Sequence, residues 1–475
     1  MIHQIEAYPS YKATQIEWQS TLPSHWLEIP LKRVARIENS GSYGSEPSKS
    51  TVCLPVATTA QIDRFGNFAV EKMPLRGFNQ KELDRYLCRS GDILVVKSSG
   101  SAANVISGKA GFVHPSTAPF VFSNFLLRIT AKSEHLLPRF LYFLLLSDLT
   151  RQRVLRMVST TTYPNLRVSE YSSELLPIPP AEEQAAIVRY LNWACGRLDR
   201  AIRAKRKVIA LLNEQKQAII SVAVTRGVDP RVPLKHSGVD WMPEIPAGWS
   251  VFRIKNVMRA VDHRSASGTE DLLSVRMHHG IVRFSEHFQR PPQARTLVNF
   301  KIVEPGQFVV NRMQAGNGLI FCSDLFGLVS PDYSVLDVVA DVNKEFLGEL
   351  MRSRLMRWKF RVESKGLGTG TSGFLRLYDD RLGAVHVALP PRHEQDSIML
   401  ELKGKLSGLV DATGRVQREM DLLLEYRTRL IADVVTGKLN VTEVAARLPA
   451  EDIQVDEGFS SDTGILDDEE LEPVE

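Results

Sequence analysis

The stretch "KHSGVDWMPEIPAGW" at residues 235–249 determines how this 475-residue chain is organised, because "KATQIEWQSTLPSHW" at residues 12–26 follows the same pattern. The matching residues, each pair 223 positions apart, are Lys12 and Lys235, Trp18 and Trp241, Pro23 and Pro246, and Trp26 and Trp249. A signature that recurs about half a chain length away indicates an internal duplication.

The similarity continues through the rest of the chain. The further matching segments are 54–65 and 273–284, 91–101 and 306–316, 176–187 and 386–398, and 211–225 and 422–436. Their separation falls stepwise from 219 to 211, which indicates that the second copy has lost residues at successive loops. We therefore predict two divergent copies of one unit, each a little over 200 residues long. Two copies are too few for a solenoid, which needs at least three.

The composition limits the class of protein. The hydrophobic content of 43% and the charged content of 24% are typical of globular proteins. No apolar run is long enough to cross a membrane, and the first residues lack the pattern of a signal peptide. The four cysteines are far apart in the sequence, which disfavours a zinc site or a disulfide framework. We expect a cytoplasmic protein of two to four domains.

The charge is unevenly distributed. Residues 451–475 contain 11 acidic residues and no Lys or Arg, so residues 1–450 carry a net charge of +15. A body this basic favours a polyanionic partner such as nucleic acid, although a basic protein without such a partner would have the same composition. We predict that residues 441–475 form an acidic, disordered tail, because they contain too little apolar surface to fold.

Each copy has two parts. The first part contains short β-type runs separated by Gly, Ser and Pro, which indicates a small α/β domain with a modest sheet. The second part begins after a Pro-Pro pair, where "AEEQ" (181–184) and "RHEQ" (392–395) place acidic residues in the first turn of a long helix.

A heptad seam runs along both predicted helices. The apolar seam positions of the first are Leu191, Cys195, Leu198, Ile202, Ile209, Leu212, Ile219 and Ala223, and those of the second are Leu402, Leu406, Leu409, Val416, Met420, Leu423, Leu430 and Val434. The seam favours pairing of the two helices as an antiparallel coiled coil over two helices that each cover their own core. Lys216 and Arg427 interrupt the seam, and we expect both to reach its solvent edge.

The sequence lacks the motifs of common active sites. It has no phosphate-binding loop, no dinucleotide fingerprint, no HExxH and no GxSxG. His278 and His279 are adjacent, and on a strand they would point in opposite directions with no third ligand nearby, which disfavours a metal site. Taken together, these features favour a binding protein over an enzyme.

The order of signature, variable domain, "LPxPPxxEQ" and long helix, all repeated, resembles the specificity subunit of type I restriction-modification systems, over about residues 1–440. The resemblance implies two small α/β target-recognition domains separated by two long helices in an antiparallel coiled coil with pseudo-two-fold symmetry. It implies a non-catalytic chain that binds a bipartite double-stranded DNA target. It also implies two modification (methyltransferase) subunits that bring S-adenosylmethionine, and restriction (translocase and endonuclease) subunits that use ATP and Mg²⁺.

These inferences give a set of predicted boundaries. They are an N-terminal arm (1–21), recognition domain 1 (22–181), a central helix (182–229), a connector that repeats the arm (230–245), recognition domain 2 (246–392), a distal helix (393–440) and the tail (441–475). Because the connector follows the first helix directly, symmetry predicts that the arm from Tyr11 to Thr21 docks near Thr436–Asn440.

Candidate DNA contacts follow from comparing the two copies. Basic residues present in both copies are candidates for phosphate contacts, which position a protein without specifying sequence; they are Lys97, Arg312, Arg64 and Arg283. Residues that differ between the copies are candidates for base reading; they are Thr58, Thr59, Ser99, Arg276, His278, Gln314 and Asn317. The loops "STTTYPN" (159–165) and "GLGTGTSG" (366–373) are predicted to face DNA.

Two other functions remain open from the sequence. One is a free-standing DNA methyltransferase or nuclease with a diverged active site. The other is a coiled-coil scaffold that does not bind DNA. The missing cofactor motif argues against the first, and the basic body argues against the second.

Overall fold

The computed structural model describes residues 6–48, 50–63, 65–98, 105–115, 117, 119–132, 136–159, 164–288, 291–367 and 374–449. Short strands and short helices alternate in both halves, and one long helix closes each half. The elements of the first half are β1 (Tyr11–Ala13), β2 (Thr21–Pro23), β3 (Leu27–Pro30), α1 (Leu31–Val34), β4 (Ala35–Glu38), β5 (Val52–Ala57), β6 (Leu75–Phe78), α2 (Gln80–Tyr86), β7 (Ile93–Val96), β8 (Ala110–Phe112), β9 (Val121–Phe122), β10 (Leu126–Ala131), α3 (Pro138–Leu146), α4 (Asp148–Arg156), β11 (Val158–Ser159), β12 (Asn165–Leu166), α5 (Val168–Ser173), β13 (Leu175–Ile178) and α6 (Ala181–Arg226).

The second half largely repeats this order, with a few additional short elements. They are β14 (Leu234–His236), β15 (Glu244–Pro246), β16 (Ser250–Arg253), α7 (Ile254–Val257), β17 (Met258–Val261), β18 (Leu273–Arg276), β19 (Gly280–Arg283), α8 (Phe284–His287), β20 (Lys301–Val303), β21 (Phe308–Asn311), β22 (Ile320–Cys322), β23 (Gly327–Val329), β24 (Tyr333–Val338), α9 (Lys344–Arg352), α10 (Arg354–Glu363), β25 (Lys365–Leu367), β26 (Phe374–Arg376), α11 (Asp379–Ala384), β27 (His386–Leu389), α12 (Arg392–Val435) and α13 (Thr442–Arg447).

The central sheet of each recognition domain has the same topology. In the first domain four antiparallel strands follow the order β4-β10-β7-β8, and in the second they follow β17-β24-β21-β22. The middle strands β7 and β21 are buried along their whole length, as expected for apolar runs covered on both faces. The duplication seen in the sequence is therefore also a duplication of the fold.

The chain forms two compact units, and each long helix contributes to both. Unit 1 comprises residues 1–204 and 420–474, and unit 2 comprises residues 205–419 with residue 475. The start of α6 packs against the end of α12 in the core of unit 1, where Ile187 and Leu191 join Leu430 and Val434. The end of α6 packs against the start of α12 in unit 2, where Ala223 joins Leu402. The predicted fold class, with antiparallel pairing of α6 and α12, is confirmed.

The heptad positions face the interior in both units. Ile202, Ile209 and Met420 are at most 8% exposed, and every other predicted seam position is buried or half-buried. The polar seam residues differ from one another. Lys216 is half-buried in unit 2, while Arg427 is buried in unit 1 beside Asp199. The expectation that Arg427 reaches the solvent edge is wrong, because the half-buried carboxylate of Asp199 holds its guanidinium inside.

Two further expectations need correction. Residues 442–447, placed in the disordered tail, form helix α13, which packs Val441 and Ala445 into the core of unit 1. His278 and His279 lie in the turn between β18 and β19 and not on a strand, so the argument that they point in opposite directions does not hold. Residues 450–475 lie outside the described residues. Among the described residues, no helix is both long and apolar enough to span a membrane.

Candidate nucleic-acid interface and its scaffold

In each unit a tryptophan of the repeated signature donates a hydrogen bond to a glutamate in the first turn of the long helix. This contact is called the clasp below. In unit 1 the fully buried Trp26 donates its indole N–H to Glu183 Oε1 at 3.0 Å. In unit 2 the equally buried Trp249 donates to Glu394 Oε1 at 2.8 Å. The antiparallel pairs β3–β13 and β16–β27 bring the tryptophans to the Pro-Pro segments that precede α6 and α12. The repeated tryptophan signature and the repeated helix start after Pro-Pro thus contact each other in both units.

The glutamine of the same motif ties the recognition domain to the helix. Gln184 Nε2 donates to the carbonyl of Pro179 at 2.9 Å, and its Oε1 accepts the amide N–H of Leu137 at 2.8 Å. Gln395 makes the same two bonds, to Pro390 at 2.9 Å and from Asn343 at 2.8 Å. Leu137 and Asn343 precede α3 and α9, so one buried amide fixes a domain helix to a scaffold helix in each unit.

The N-terminal arm docks where symmetry predicts. Gln19 Nε2 donates to the carbonyl of Thr436 at 2.6 Å, and the Tyr11 hydroxyl donates to that of Gly437 at 3.1 Å. Asn440 donates its amide N–H to the carbonyl of Glu6 at 2.9 Å. The prediction that the arm lies beside the end of the second long helix is confirmed.

The two glycines that follow the long helices offer a matched test of this docking. Gly437 and Gly227 both have positive φ, 74° and 78°. A Cβ at Gly437 would lie 2.5 Å from Pro23 Cγ, whereas the nearest atom to one at Gly227 would be 3.8 Å away, on Trp249. Both substitutions by Ala should cost about 1–2 kcal/mol for the left-handed backbone, and Gly437→Ala should cost more because it displaces the arm.

Urea unfolding of the two variants checks this expectation. Gly404→Ala, in the interior of α12 with nothing within 4 Å of the added carbon, is the control and should leave stability unchanged or raise it by up to about 1 kcal/mol. Equal losses for Gly227→Ala and Gly437→Ala would contradict the close docking of the arm.

The phosphate candidates Lys97 and Arg312 occupy equivalent positions. Each follows the buried middle strand of its sheet, and its carbonyl accepts an amide N–H, from Leu166 in unit 1 and from Leu377 in unit 2, both at 2.9 Å. Lys97 is half-buried and donates to the carbonyl of Asn39 at 3.1 Å, and burial lowers the pKa of its amine.

Arg312 belongs to a crowded cationic cluster in unit 2. Its Nη2 donates to the carbonyl of Pro331 at 3.1 Å, and Asp332 is shared with Arg376, whose Nη2 lies 2.6 Å from the carboxylate. Burial, followed by the charge of Arg376, lowers the pKa of Arg312. The exposed carboxylate of Asp332 serves both guanidinium groups, and the charge of Asp379 also acts on Arg312.

Helix α10 presents a basic face beside this cluster. Arg354, Arg357, Trp358 and Arg361, here called the α10 stripe, lie three or four residues apart and share one side of the helix. Arg361 donates to Asn317 Oδ1 at 2.9 Å, and Asn317 in turn donates to Gln314 Oε1 at 3.0 Å. Burial, followed by the charge of Arg361, lowers the pKa of Arg357. Within the described residues the three arginines of the stripe form no ion pair.

The chain is similar to several proteins of known type. Residues 28–212 match the family model for the type I restriction modification DNA specificity domain. The type I restriction enzyme MjaVIII specificity subunit of Methanocaldococcus jannaschii is 24% identical over 221 residues, 46% of this chain and 49% of the relative. The EcoKI specificity subunit of Escherichia coli is 22% identical over 210 residues, 44% of each chain. The aligned part thus spans about half the length of these curated relatives.

A solved chain supports the fold. It comes from a study of complex assembly and conformational transition of the type I R-M system, and it superposes with a TM-score of 0.58 at 17% identity, covering 88% of this chain and 99% of its own length. At this level of identity the likeness shows a shared fold.

The α10 stripe is the part of the candidate interface that sequence reasoning missed. Its signal was present, because arginines at positions 354, 357 and 361 follow the helical period. Among the described side chains of α4 in unit 1, Arg153 pairs with Glu17 at 2.6 Å and with Glu174 at 3.3 Å.

The base-reading candidates of unit 2 separate into two groups. Gln314 and Asn317 lie at the two ends of a short 3-10 turn against α10 and are bonded, through Asn317, to Arg361 of the α10 stripe. His278 is exposed in the β18–β19 turn. Arg276 is a correction: it is only 5% exposed, and its guanidinium lies 4.9 Å from the ring centre of Phe288. A side chain buried against an aromatic ring cannot reach a base edge from this position.

The remaining candidates are less informative. Arg283 is half-buried and paired with Asp271 at 3.2 Å and with Glu286 at 3.3 Å. Thr58 and Thr59 are half-buried, and Thr58 caps a 3-10 turn by bonding Gln61. Arg64, Ser99, residues 160–163 of the first predicted loop and residues 368–373 of the second lie outside the described residues.

Proposed function

We propose that this chain is the non-catalytic DNA-recognition subunit of a type I restriction-modification complex, and that each recognition domain reads one half of a bipartite double-stranded target. The observation that carries the proposal is the clasp built twice: Trp26 with Glu183 and Trp249 with Glu394. Two equivalent platforms, each bearing a different recognition domain, suit a target of two different half-sites.

The same duplication suits two copies of one partner, because equivalent surfaces bind equivalent subunits. The partners are two modification subunits, which bring S-adenosylmethionine, and restriction subunits, which use ATP and Mg²⁺. The complex acts in the cytoplasm. Among the described residues, no group of three or more His, Cys, Asp or Glu side chains has the arrangement of a metal site.

Methylation mapping tests the function directly. The purified chain, incubated with labelled S-adenosylmethionine and DNA, should transfer no methyl group alone. Co-expressed with its modification subunits, it should direct methylation to one split sequence. Methyl transfer by the chain alone would favour a free-standing methyltransferase, and a target pattern that does not change when one recognition domain is exchanged would contradict reading by two domains.

Phosphate contact is expected at Lys97, at Arg312 and along the α10 stripe. Removing one such cation by Arg357→Ala or Arg361→Ala should weaken binding to all duplexes alike and flatten the dependence of log K on log[salt] by about one unit. Lys97→Ala and Arg312→Ala should act in the same direction.

Fluorescence anisotropy of short duplexes over a salt series measures both quantities. Arg392→Ala is the matched control, since it removes one exposed cation of unit 2 that is already paired with Asp341 at 3.0 Å and with Asp396 at 3.2 Å. The same salt slope in Arg361→Ala as in the parent chain would exclude the stripe from the interface.

A further inference from the structure

Unit 1 has a basic groove at one edge of its central sheet. The sheet order leaves β4 as an edge strand, paired only with β10. The groove lies between this edge and helix α5. Its lining residues, here called the β4 groove, are Lys32, Ala35, Arg36, Ile37, Asn39, Lys132, Val168, Ser169 and Ser172.

The residues that line the β4 groove include three cations and no carboxylate. Lys32, Arg36 and Lys132 are exposed. Lys132 Nζ donates to the carbonyls of Lys32 at 3.3 Å and Arg33 at 3.2 Å, and Arg36 has its nearest described acid, Glu38, at 3.9 Å. Lys32 Nζ donates to Ser173 Oγ at 3.2 Å, so among the described residues one distant carboxylate faces three cations, and the groove is suited to an acidic ligand.

The equivalent groove of unit 2 has a different charge. The amide of Lys132 donates to the carbonyl of Val34 at 2.8 Å, and that of Val339 donates to Val257 at 2.9 Å, so the counterpart of Lys132 is apolar. Helix α11 begins with Asp379 and Asp380 where α5 begins with Val168 and Ser169. A DNA contact common to both domains would not account for a basic groove in one unit alone.

The acidic segment, residues 450–475, follows an element of the same unit. Helix α13 packs into the core of unit 1, and Arg189 Nη2 donates to the carbonyls of Leu448 at 2.5 Å and Pro449 at 3.3 Å. Residues 450–475 follow directly and contain 11 acidic residues and no Lys or Arg.

The segment is long enough to reach the groove. At about 3.3–3.6 Å per residue, a segment of this length spans at most about 90 Å. A compact body of about 260 residues has a radius of gyration of about 18 Å. Every surface of unit 1 is therefore within reach of a segment tethered at residue 449.

We propose that the acidic segment 450–475 docks in the β4 groove of unit 1. Its carboxylates pair with Lys32, Arg36 and Lys132, and the exposed edge of β4 offers backbone groups to an extended segment. Because Lys97 contacts Asn39, a lining residue of the groove, the docked segment lies next to a proposed phosphate contact. The docked segment therefore competes with DNA for this contact, an inference that rests on the proposed function.

Zero-length crosslinking of the full chain tests the docking without DNA. A carbodiimide joins carboxylates to lysine amines only where they touch. Trypsin releases the segment as one peptide from Leu448, because no Lys or Arg follows Arg447. Mass spectrometry should find this peptide joined to Lys32 and Lys132 at low salt and not in 1 M NaCl. Lys255, the counterpart of Lys32 in unit 2, is the internal control and should remain unjoined.

A variant that removes two of the groove cations tests whether they hold the segment. Lys32→Gln combined with Arg36→Gln should lower the crosslink yield at Lys132 about fivefold, the effect of losing two exposed ion pairs, whereas Lys255→Gln should leave it unchanged. Crosslinks to Lys255 equal to those at Lys32, or no crosslink at either groove lysine, would overturn the proposal. A mixture of isotopically labelled and unlabelled chains giving only mixed crosslinks would overturn it in favour of a second copy as the occupant.

Binding measurements separate this proposal from the proposed function. Ending the chain at residue 449 should tighten non-specific duplex binding about tenfold near 0.1 M salt and steepen the salt slope by about two to three, since DNA then releases counterions from the groove. The truncation should have no effect in the Lys32→Gln, Arg36→Gln, Lys132→Gln variant. Crosslinks without any duplex binding would keep the docking and remove the DNA-recognition role.

Discussion

Replacing Trp26 by Ala should lower the free energy of unfolding of unit 1 by about 3–5 kcal/mol. The side chain is fully buried, packs edge-on against Tyr8 with ring centres 5.7 Å apart, and donates to Glu183. The substitution leaves a cavity and also removes a donor from a buried carboxylate. Trp26→Phe keeps most of the apolar volume, and its expected loss of about 1–3 kcal/mol measures the hydrogen bond.

Denaturant unfolding followed by hydrogen exchange with mass spectrometry assigns the loss to one unit, because two units need not unfold together. Trp249→Ala should cause an equal loss in unit 2. Trp358→Ala is the control: with 52% of its surface exposed, this tryptophan should contribute no more than about 0.5 kcal/mol. A Trp26→Ala chain that unfolds within about 1 kcal/mol of the parent would contradict the clasp as the main contact between the repeated signature and helix α6.

Replacing Arg427 by Leu should destabilise unit 1 by at most about 3–5 kcal/mol, because it leaves the half-buried carboxylate of Asp199 without its partner. Arg427 Nε lies 2.9 Å from Asp199 Oδ1, and its guanidinium lies 4.8 Å from the ring centre of Phe65. The double replacement Asp199→Leu with Arg427→Leu should recover most of the loss, since it removes both charges of the pair. Unit 2 has Val410 and Lys216 at the equivalent positions, so helix pairing does not itself require the ion pair.

The loss in Arg427→Leu should depend on pH. Burial already raises the pKa of Asp199 against the opposing effect of Arg427, and without that arginine the pKa rises further. A carboxyl group whose pKa is higher in the folded than in the unfolded chain destabilises the fold as the pH rises above the unfolded pKa, and the loss is complete above the folded pKa. The difference from the parent chain should therefore be largest near pH 8 and shrink towards pH 5. A difference independent of pH would mean that Asp199 is not the cause.

Much of the scaffold could be predicted from the sequence. The heptad seam, the duplication and the docking of the arm near Thr436 follow from periodicity and from repetition at a nearly constant separation, both of which are properties of the one-dimensional pattern. The ion pair of Arg427 could not be predicted from this pattern, because its partner Asp199 lies 228 residues away and outside the seam.

The candidate interface could be predicted only in outline. Comparison of the two copies identified Lys97 and Arg312 as equivalent positions. It could not distinguish an accessible cation from a buried one, and Arg276 is buried.

The sequence by itself determined that this chain is a duplicated pair of variable domains carried on two paired helices, because apolar periodicity and internal repetition can be recognised without knowing any contact. Only the tertiary structure decided which polar residues hold the scaffold together and which face solvent. Glu183 and Gln184 look like ordinary first-turn residues in the sequence, yet both are buried and bonded to segments far away along the chain. The desolvation of a polar group depends on the neighbours that the fold brings to it, and those neighbours are not its neighbours in sequence.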